Sequence, residues 1–148
     1  MFPDKVKVEF YAAPALTVPL EHYHVHLFGS DTDALRAWYV KHLSMHVVRS
    51  LTESPFTHFL ADESGRVVVE MYGHPKAAVP NYAAMDPLVF HIAFVATDVA
   101  ATRERLLAAG ATSAGPVTTT PTGDVMTFMR DPWGVALQLV KRASALMG

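Results

Sequence analysis

The stretch Tyr23-His24-Val25-His26-Leu27-Phe28-Gly29-Ser30-Asp31, YHVHLFGSD, sets two histidines two residues apart and an acid five residues after the second. A quieter version returns sixty-seven positions later as FHIAFVATD, with His91 and Asp98 in the matching places. Each copy alternates side chains like a half-buried strand and ends at small polar residues that can cap a helix. A strand-to-helix unit written twice predicts a fold of two related halves.

The rest of each half supports this. After the first copy, Ser30 offers an N-cap with Asp33 three residues on. Leu35, Trp38, Tyr39 and Leu43 then share one face of a helix over about Asp31–Leu43. Three apolar runs follow, near Met45–Leu51, Phe56–Ala61 and Arg66–Tyr72, the last two joined by the turn Asp62-Glu63-Ser64-Gly65. After the second copy, Thr97 offers the cap, and Val99, Thr102, Leu106 and Ala109 space a helix that Gly110 stops. Strands are expected at Gly115–Val117, Val125–Arg130 and Val135–Val140, with Asp131-Pro132-Trp133-Gly134 as the last turn. The fold class is α+β, with two βαβββ modules in tandem. Residues 1–21 read as an N-terminal arm, 22–72 as the first module, 73–87 as a linker and 88–142 as the second. Within the arm, Lys5–Phe10 alternates like a short strand.

Bulk composition narrows the function. The 148 residues are 51% hydrophobic and 18% charged, enough to bury a core, and carry a net charge of −2 with no Lys/Arg run. Nucleic acid and anionic membranes are therefore poor partners. No cysteine is present, so disulfides, thiolate metal sites and Cys nucleophiles drop out. No apolar run approaches the ~20 residues that span a bilayer, and the start lacks a signal-peptide pattern, so a cytoplasmic protein is expected.

Strand parity points to the chemistry, because alternate residues face opposite sides of a sheet. Tyr23, Val25 and Leu27 form one apolar face, leaving His22, His24 and His26 on the other. Val67, Val69 and Met71 oppose Glu70 and Tyr72. Phe90, Ile92 and Phe94 oppose His91 and Ala93, and Val135, Leu137 and Leu139 oppose Gln138. Four equivalent strands thus each put one possible metal ligand on the face away from the helices. His24, Glu70 and His91 supply two imidazoles and a carboxylate, a set suited to Zn, Fe, Mn, Ni or Co, and Gln138 adds a neutral oxygen. A single strand histidine is more often just hydrogen-bonded. A carboxylate in the middle of VVVEMY is harder to explain blandly, since a buried acid needs a partner. His26 and Tyr72 lie next along the same faces and suit a general base or acid and a hydrogen-bond donor; cavity lining is their plainer role. His42, His46 and His58 have no partner pattern and are expected at the surface. His74 is expected at the cleft rim, Trp38 and Tyr39 in the core, and Arg130 in a structural role.

The motifs HVHLFGSDTDALRAWY, VVVEMYGHP, HIAFVATD and FMRDPWGVALQLV together resemble the vicinal oxygen chelate superfamily, over about residues 22–142. That superfamily includes glyoxalases, extradiol dioxygenases, fosfomycin-resistance transferases and metal-free bleomycin-binding proteins. The resemblance implies paired modules curled into an open, eight-stranded, barrel-like cleft with a divalent metal ion at its bottom. It maps the ligand places onto His24, Glu70, His91 and Gln138. Gln138 departs from the family, which usually has Glu there. An amide cannot take a proton at neutral pH, so the base would be Glu70 or His26. The implied function is a metal-dependent enzyme acting on a small molecule with adjacent oxygens, a glyoxalase-like lyase or isomerase ahead of an extradiol-type dioxygenase. The alternative is a non-catalytic, antibiotic-binding protein using the same cleft. A homodimer is expected, because halves of this family commonly complete each other's clefts.

Overall fold

The computed structural model describes residues 25–65, 68–76 and 78–145. The arm, His22 and His24 lie outside the described residues. The first half runs β1 (Val25–Phe28), α1 (Thr32–Leu43), β2 (His46–Ser50), β3 (His58–Ala61) and β4 (Val68–Tyr72). Its sheet has the order β1-β4-β3-β2, with β1 parallel to β4 and the other pairs antiparallel. The second half runs β5 (Ile92–Val95), α2 (Val99–Ala108), β6 (Thr112–Ser113), β7 (Thr118–Thr119), β8 (Val125–Arg130) and β9 (Ala136–Lys141). Its sheet is ordered β5-β9-β8-β6, and β7 also pairs with β8. The class is α+β and the arrangement open, as expected, with nine described strands in two sheets where eight were expected.

The difference lies at Gly115–Val117, expected to be a strand. Pro116 has no N–H to give a ladder, so pairing with β8 is split between Thr112–Ser113 and Thr118–Thr119. The chain bulges between them, held by Ala114 N to the Phe128 carbonyl (2.9 Å) and by the Thr127 hydroxyl to the Gly115 carbonyl (3.2 Å). Both helix starts also move by one residue. Asp31 and Asp98 are the N-caps instead of Ser30 and Thr97, each accepting from the N–H three residues on at 2.9 Å. A carboxylate is the better acceptor there because it also meets the positive end of the helix dipole. Among its described residues the linker holds one 3-10 turn, over Tyr82–Ala84.

Leu27, Leu60, Val69 and Met71 from the first sheet and Met129, Leu137 and Leu139 from the second are buried in one continuous core with Leu35, Tyr39 and Leu106 of the helices. The halves are joined through this helix side. Trp38 Nε1 donates to the Ala109 carbonyl at 2.9 Å, and Arg105 donates to the His42 carbonyl at 2.8 Å. Phe28 N donates to the Tyr82 hydroxyl at 2.8 Å. Arg130 holds the linker, donating to the Tyr82, Gly134 and Met85 carbonyls at 2.7–3.0 Å, which is the structural role expected of it.

The central bond is Tyr39 Oη to Asp131 Oδ2, 2.9 Å and buried. Asp131 Oδ1 accepts from the Trp133 and Val135 N–H groups, both at 2.9 Å, so one carboxylate shapes the DPWG turn and ties it to α1. Burial pushes the Asp131 carboxyl up from its ordinary pKa, and the bonds from Tyr39 and the turn pull it back. Gly134 completes the turn at φ +89°, with the Ala83 backbone nitrogen only 2.7 Å from where a Cβ would sit. No side chain fits there. Asp131→Ala should cost about 3 kcal/mol and Tyr39→Phe about 1–2 kcal/mol, the range for losing bonds to a buried charged acceptor. Urea unfolding checks both; equal losses would mean that the turn contacts carry nothing.

Candidate functional site

The two sheets share a register. On the first, Cα partners across β1 and β4 are His26 and Glu70; on the second, across β5 and β9, they are Ala93 and Gln138. His24 stands two residues before His26, as His91 stands two before Ala93. The repeat therefore relates the pair His24/Glu70 to the pair His91/Gln138. Parity holds as well: Leu27, Val69, Met71, Ile92, Leu137 and Leu139 are buried on the helix side. His26, Glu70, Tyr72, His91 and Gln138 stay partly or wholly accessible.

On the first sheet, His26, Phe28, Tyr72 and His74 form a chain of rings. His26 meets Tyr72 edge-on at 5.3 Å, Phe28 lies 5.4 Å from Tyr72, and His74 stacks on Tyr72 at 6.2 Å. Aromatic pairs favour such offset and edge contacts, which hold the ring orientations on this face. Thus Tyr72 and His26 sit together beside Glu70.

On the second sheet, His91 precedes β5 and is oriented from two sides. Its Nδ1 lies 2.7 Å from the Pro87 carbonyl oxygen, and its ring meets Phe128 edge-on at 5.3 Å. A carbonyl only accepts, so Nδ1 is the donor, and in the neutral ring Nε2 keeps its lone pair. Among the described residues no partner meets Nε2. A metal-binding imidazole has this arrangement, with one nitrogen pinned by a carbonyl and the other open. Gln138 faces Phe128 across the β8–β9 ladder, and its Nε2 donates to Met126 Sδ at 3.8 Å. Only the amide nitrogen can donate, so the contact turns Oε1 away from the sulfur, where it too meets no partner among the described residues.

Among the described residues, no three His, Asp or Glu side chains come together closely enough to hold a metal ion. Glu70 and His91 stand on different sheets, and His24 lies outside the described residues. Beside His91 and Gln138, a groove of about 360 Å³ runs between the linker (Asp86, Pro87, Leu88), the 114–118 bulge and Met126 and Phe128 of β8. Strand alternation pointed to the inward polar residues but not to this groove, which depends on the break in the β6–β7 edge.

The remaining histidines divide. His46 is exposed, as expected. His58 overturns its expected surface place and is 3% exposed. It pairs with Met71 across β3 and β4, on the helix side, where α1 and β2 supply distant partners. Its Nδ1 is 2.8 Å from Ser50 Oγ, and its Nε2 lies 3.3 Å from Asp33 Oδ1. Burial, then the nearby Arg36, lowers its pKa below the ordinary 6.5, outweighing Asp33.

The comparisons fit this geometry. Residues 22–139 match the family model for the Glyoxalase/Bleomycin resistance protein/Dioxygenase superfamily. The solved structure of SMU.1112c is 28% identical, with a TM-score of 0.66, covering 84% of this chain and 100% of that one. A glyoxalase family protein from Bacillus cereus is 14% identical with a TM-score of 0.74, covering 89% and 100%. A glyoxalase I mutant from Zea mays is 21% identical with a TM-score of 0.67, covering 84% of this chain and 46% of that one. No protein of curated function matches the sequence. No described helix is long and apolar enough to cross a membrane.

His58 ties stability to pH. With the folded pKa below the unfolded one, the unfolded chain binds more protons between the two values, so acidification below about pH 6.5 lowers stability. His58→Gln should flatten the fall in melting temperature between about pH 7.5 and 5.5. An unchanged slope would show that His58 does not carry it.

On its repeated register, its turn and its matched residues, the chain belongs to the Glyoxalase/Bleomycin resistance protein/Dioxygenase superfamily.

Proposed function

We propose that the chain is a metal-dependent enzyme acting on a small molecule with two adjacent oxygens, a glyoxalase-like lyase or isomerase. His24, Glu70 and His91 are the proposed ligands, with Gln138 as a neutral fourth. The observation that carries this reading is the set state of His91: Nδ1 bonded to the Pro87 carbonyl, Nε2 open, and Gln138 on the same face. Two imidazoles, a carboxylate and an amide suit a zinc, iron, nickel, manganese or cobalt ion. Such an ion, when bound, supplies Lewis acidity to the oxygens of the ligand.

The proton chemistry falls to the chain's own groups. Gln138 cannot take a proton, so we assign that task to His26 or Glu70, which are register partners on β1 and β4. To Tyr72, edge-on to His26, we assign the donation of a hydroxyl proton to a ligand oxygen. An extradiol-type dioxygenase would use His24, His91 and Glu70 around iron. A non-catalytic antibiotic-binding protein would use the same cleft, and the amide at 138 in place of an acid favours that second reading.

We further propose that the site is shared in a homodimer. Among the described residues β1 and β5 stand at the edges of their sheets. Near the second edge, Leu88, Val89 and Val95 are 77–81% exposed. Apolar groups grouped at an open strand edge suit contact with another chain. Sedimentation as a monomer at micromolar concentration would refute the dimer.

Two substitutions test the ligands. Gln138→Glu should tighten metal binding by adding a charged oxygen. Glu70→Gln should weaken it by more than the roughly 10–100-fold typical of losing an outer partner. If a metal titration of untagged protein finds the two variants alike, Glu70 is not a ligand. Less than a tenth of an equivalent after reconstitution of the unaltered protein leaves the binding-protein reading.

A further inference from the structure

The buried His58 has neighbours that the metal reading does not use. On the β2–β3 ladder Ser50 stands opposite His58, and the next pair is joined by Leu51 N to the Thr57 carbonyl at 2.8 Å. Ser50 and His58 are therefore a non-hydrogen-bonded pair, the kind that brings facing side chains closest. Ser50 Oγ lies 2.8 Å from His58 Nδ1. The same alternation turns the Ser50 N–H away from β3, and β2 is an edge strand among the described residues. Ser50 is exposed and His58 buried, so the serine is the member of the pair that meets solvent.

On the other side of the ring, Nε2 is buried and short of a hydrogen bond, 3.3 Å from Asp33 Oδ1. Catalytic hydrogen bonds are often this loose before a substrate is bound. Facing a carboxylate, Nε2 is the nitrogen that favours the proton, which leaves Nδ1 to accept from the Ser50 hydroxyl. Arg36 holds the same carboxylate oxygen at 2.9 Å. Burial, then Arg36, lowers the His58 pKa, so the neutral imidazole is the resting form at pH 7. A hydroxyl on a neutral imidazole whose far nitrogen faces an acid is the arrangement that makes serine a nucleophile.

We propose that Ser50, His58 and Asp33 form a second, metal-free site that takes an acyl group from a small uncharged ester. Ser50 Oγ attacks the acyl carbon while its proton passes to His58 Nδ1. The ester C–O bond breaks, and the leaving oxygen takes that proton. Water repeats the step on the acyl-serine, releasing the acid and restoring the Ser50 hydroxyl. The Ser50 N–H, turned to the open edge, is the donor available to the developing oxyanion. Asp33 is a positioning residue, since it sets the tautomer of His58 and touches no substrate. Leu51 and Phe56, in the loop that joins Ser50 to His58, expose apolar side chains that suit an uncharged acyl group, and Glu53 in that loop disfavours an anion.

The test uses the full chain with p-nitrophenyl acetate and a chelator present, which keeps it independent of the metal reading. A burst of p-nitrophenolate of about one equivalent per chain is expected, the signature of an acyl-enzyme. Peptide mass spectrometry should place the acetyl group on Ser50. Ser50→Ala should remove the burst. Asp33→Asn leaves Nε2 facing an amide, so it should slow acylation about tenfold or more with KM unchanged. Both substitutions replace exposed side chains, so the result does not depend on disturbing the buried histidine. His58→Gln should lower the acylation rate about a hundredfold or more. No burst, an acetyl group on residues other than Ser50, or an Asp33→Asn protein that acylates as fast as the unaltered one would overturn the proposal.

Discussion

The Asp131 carboxylate carries the organisation of this molecule. Its two oxygens receive a tyrosine hydroxyl from α1 and two backbone N–H groups from the turn between β8 and β9. One group therefore fixes the β8–β9 turn of the second sheet and its position against the helix of the first. Burial works against the charge and prevails, with the hydrogen bonds from Tyr39 and the turn offsetting part of that cost. Burial and the facing carboxylate also hold the Tyr39 hydroxyl pKa well above its ordinary value, so it remains a donor at any physiological pH. Gly134 and Arg130 extend the same junction to the linker, which in turn carries Pro87, the residue that orients His91.

That chain of contacts connects the core to the open faces. With the helix sides of both sheets packed together, the opposite faces carry the polar residues in the same register, His26 with Glu70 and Ala93 with Gln138. The halves are nevertheless chemically unlike. The first face is ringed by His26, Phe28, Tyr72 and His74, while the second has a pinned histidine, an amide leaning on a thioether and an apolar groove. In the proposed function, acid and base chemistry belongs to the first face.

Much of this was legible in the sequence because period-two alternation is strict where a sheet has one buried face. Val69 and Met71 went into the helix-side core and Glu70 to the opposite face, as the VVVEMY pattern required. What alternation could not decide was local or distant. Ser30–Asp31 and Thr97–Asp98 are each two adjacent capping residues, and the carboxylate of the second, meeting the positive end of the helix dipole, takes the cap in both. His58 was misplaced because its partners, Ser50 and Asp33, lie 8 and 25 positions away and leave no local mark. The strand at Gly115–Val117 failed on Pro116, and the bulge it forces opens the groove. Parity gives each proposed ligand its face, but which copy supplies the opposite face is a matter of assembly that leaves no mark on the strand pattern.

A mixing experiment tests the shared site most directly. Glu70→Gln retains His91, and His91→Ala retains Glu70; each alone should bind little metal. If one site takes Glu70 from one copy and His91 from the other, half of the randomly reassorted dimers are mixed, and each has one intact site of two. The mixture should then bind about a quarter of an equivalent of metal per chain with the affinity of the unaltered protein. A mixture as empty as its two components would contradict a site built across two copies.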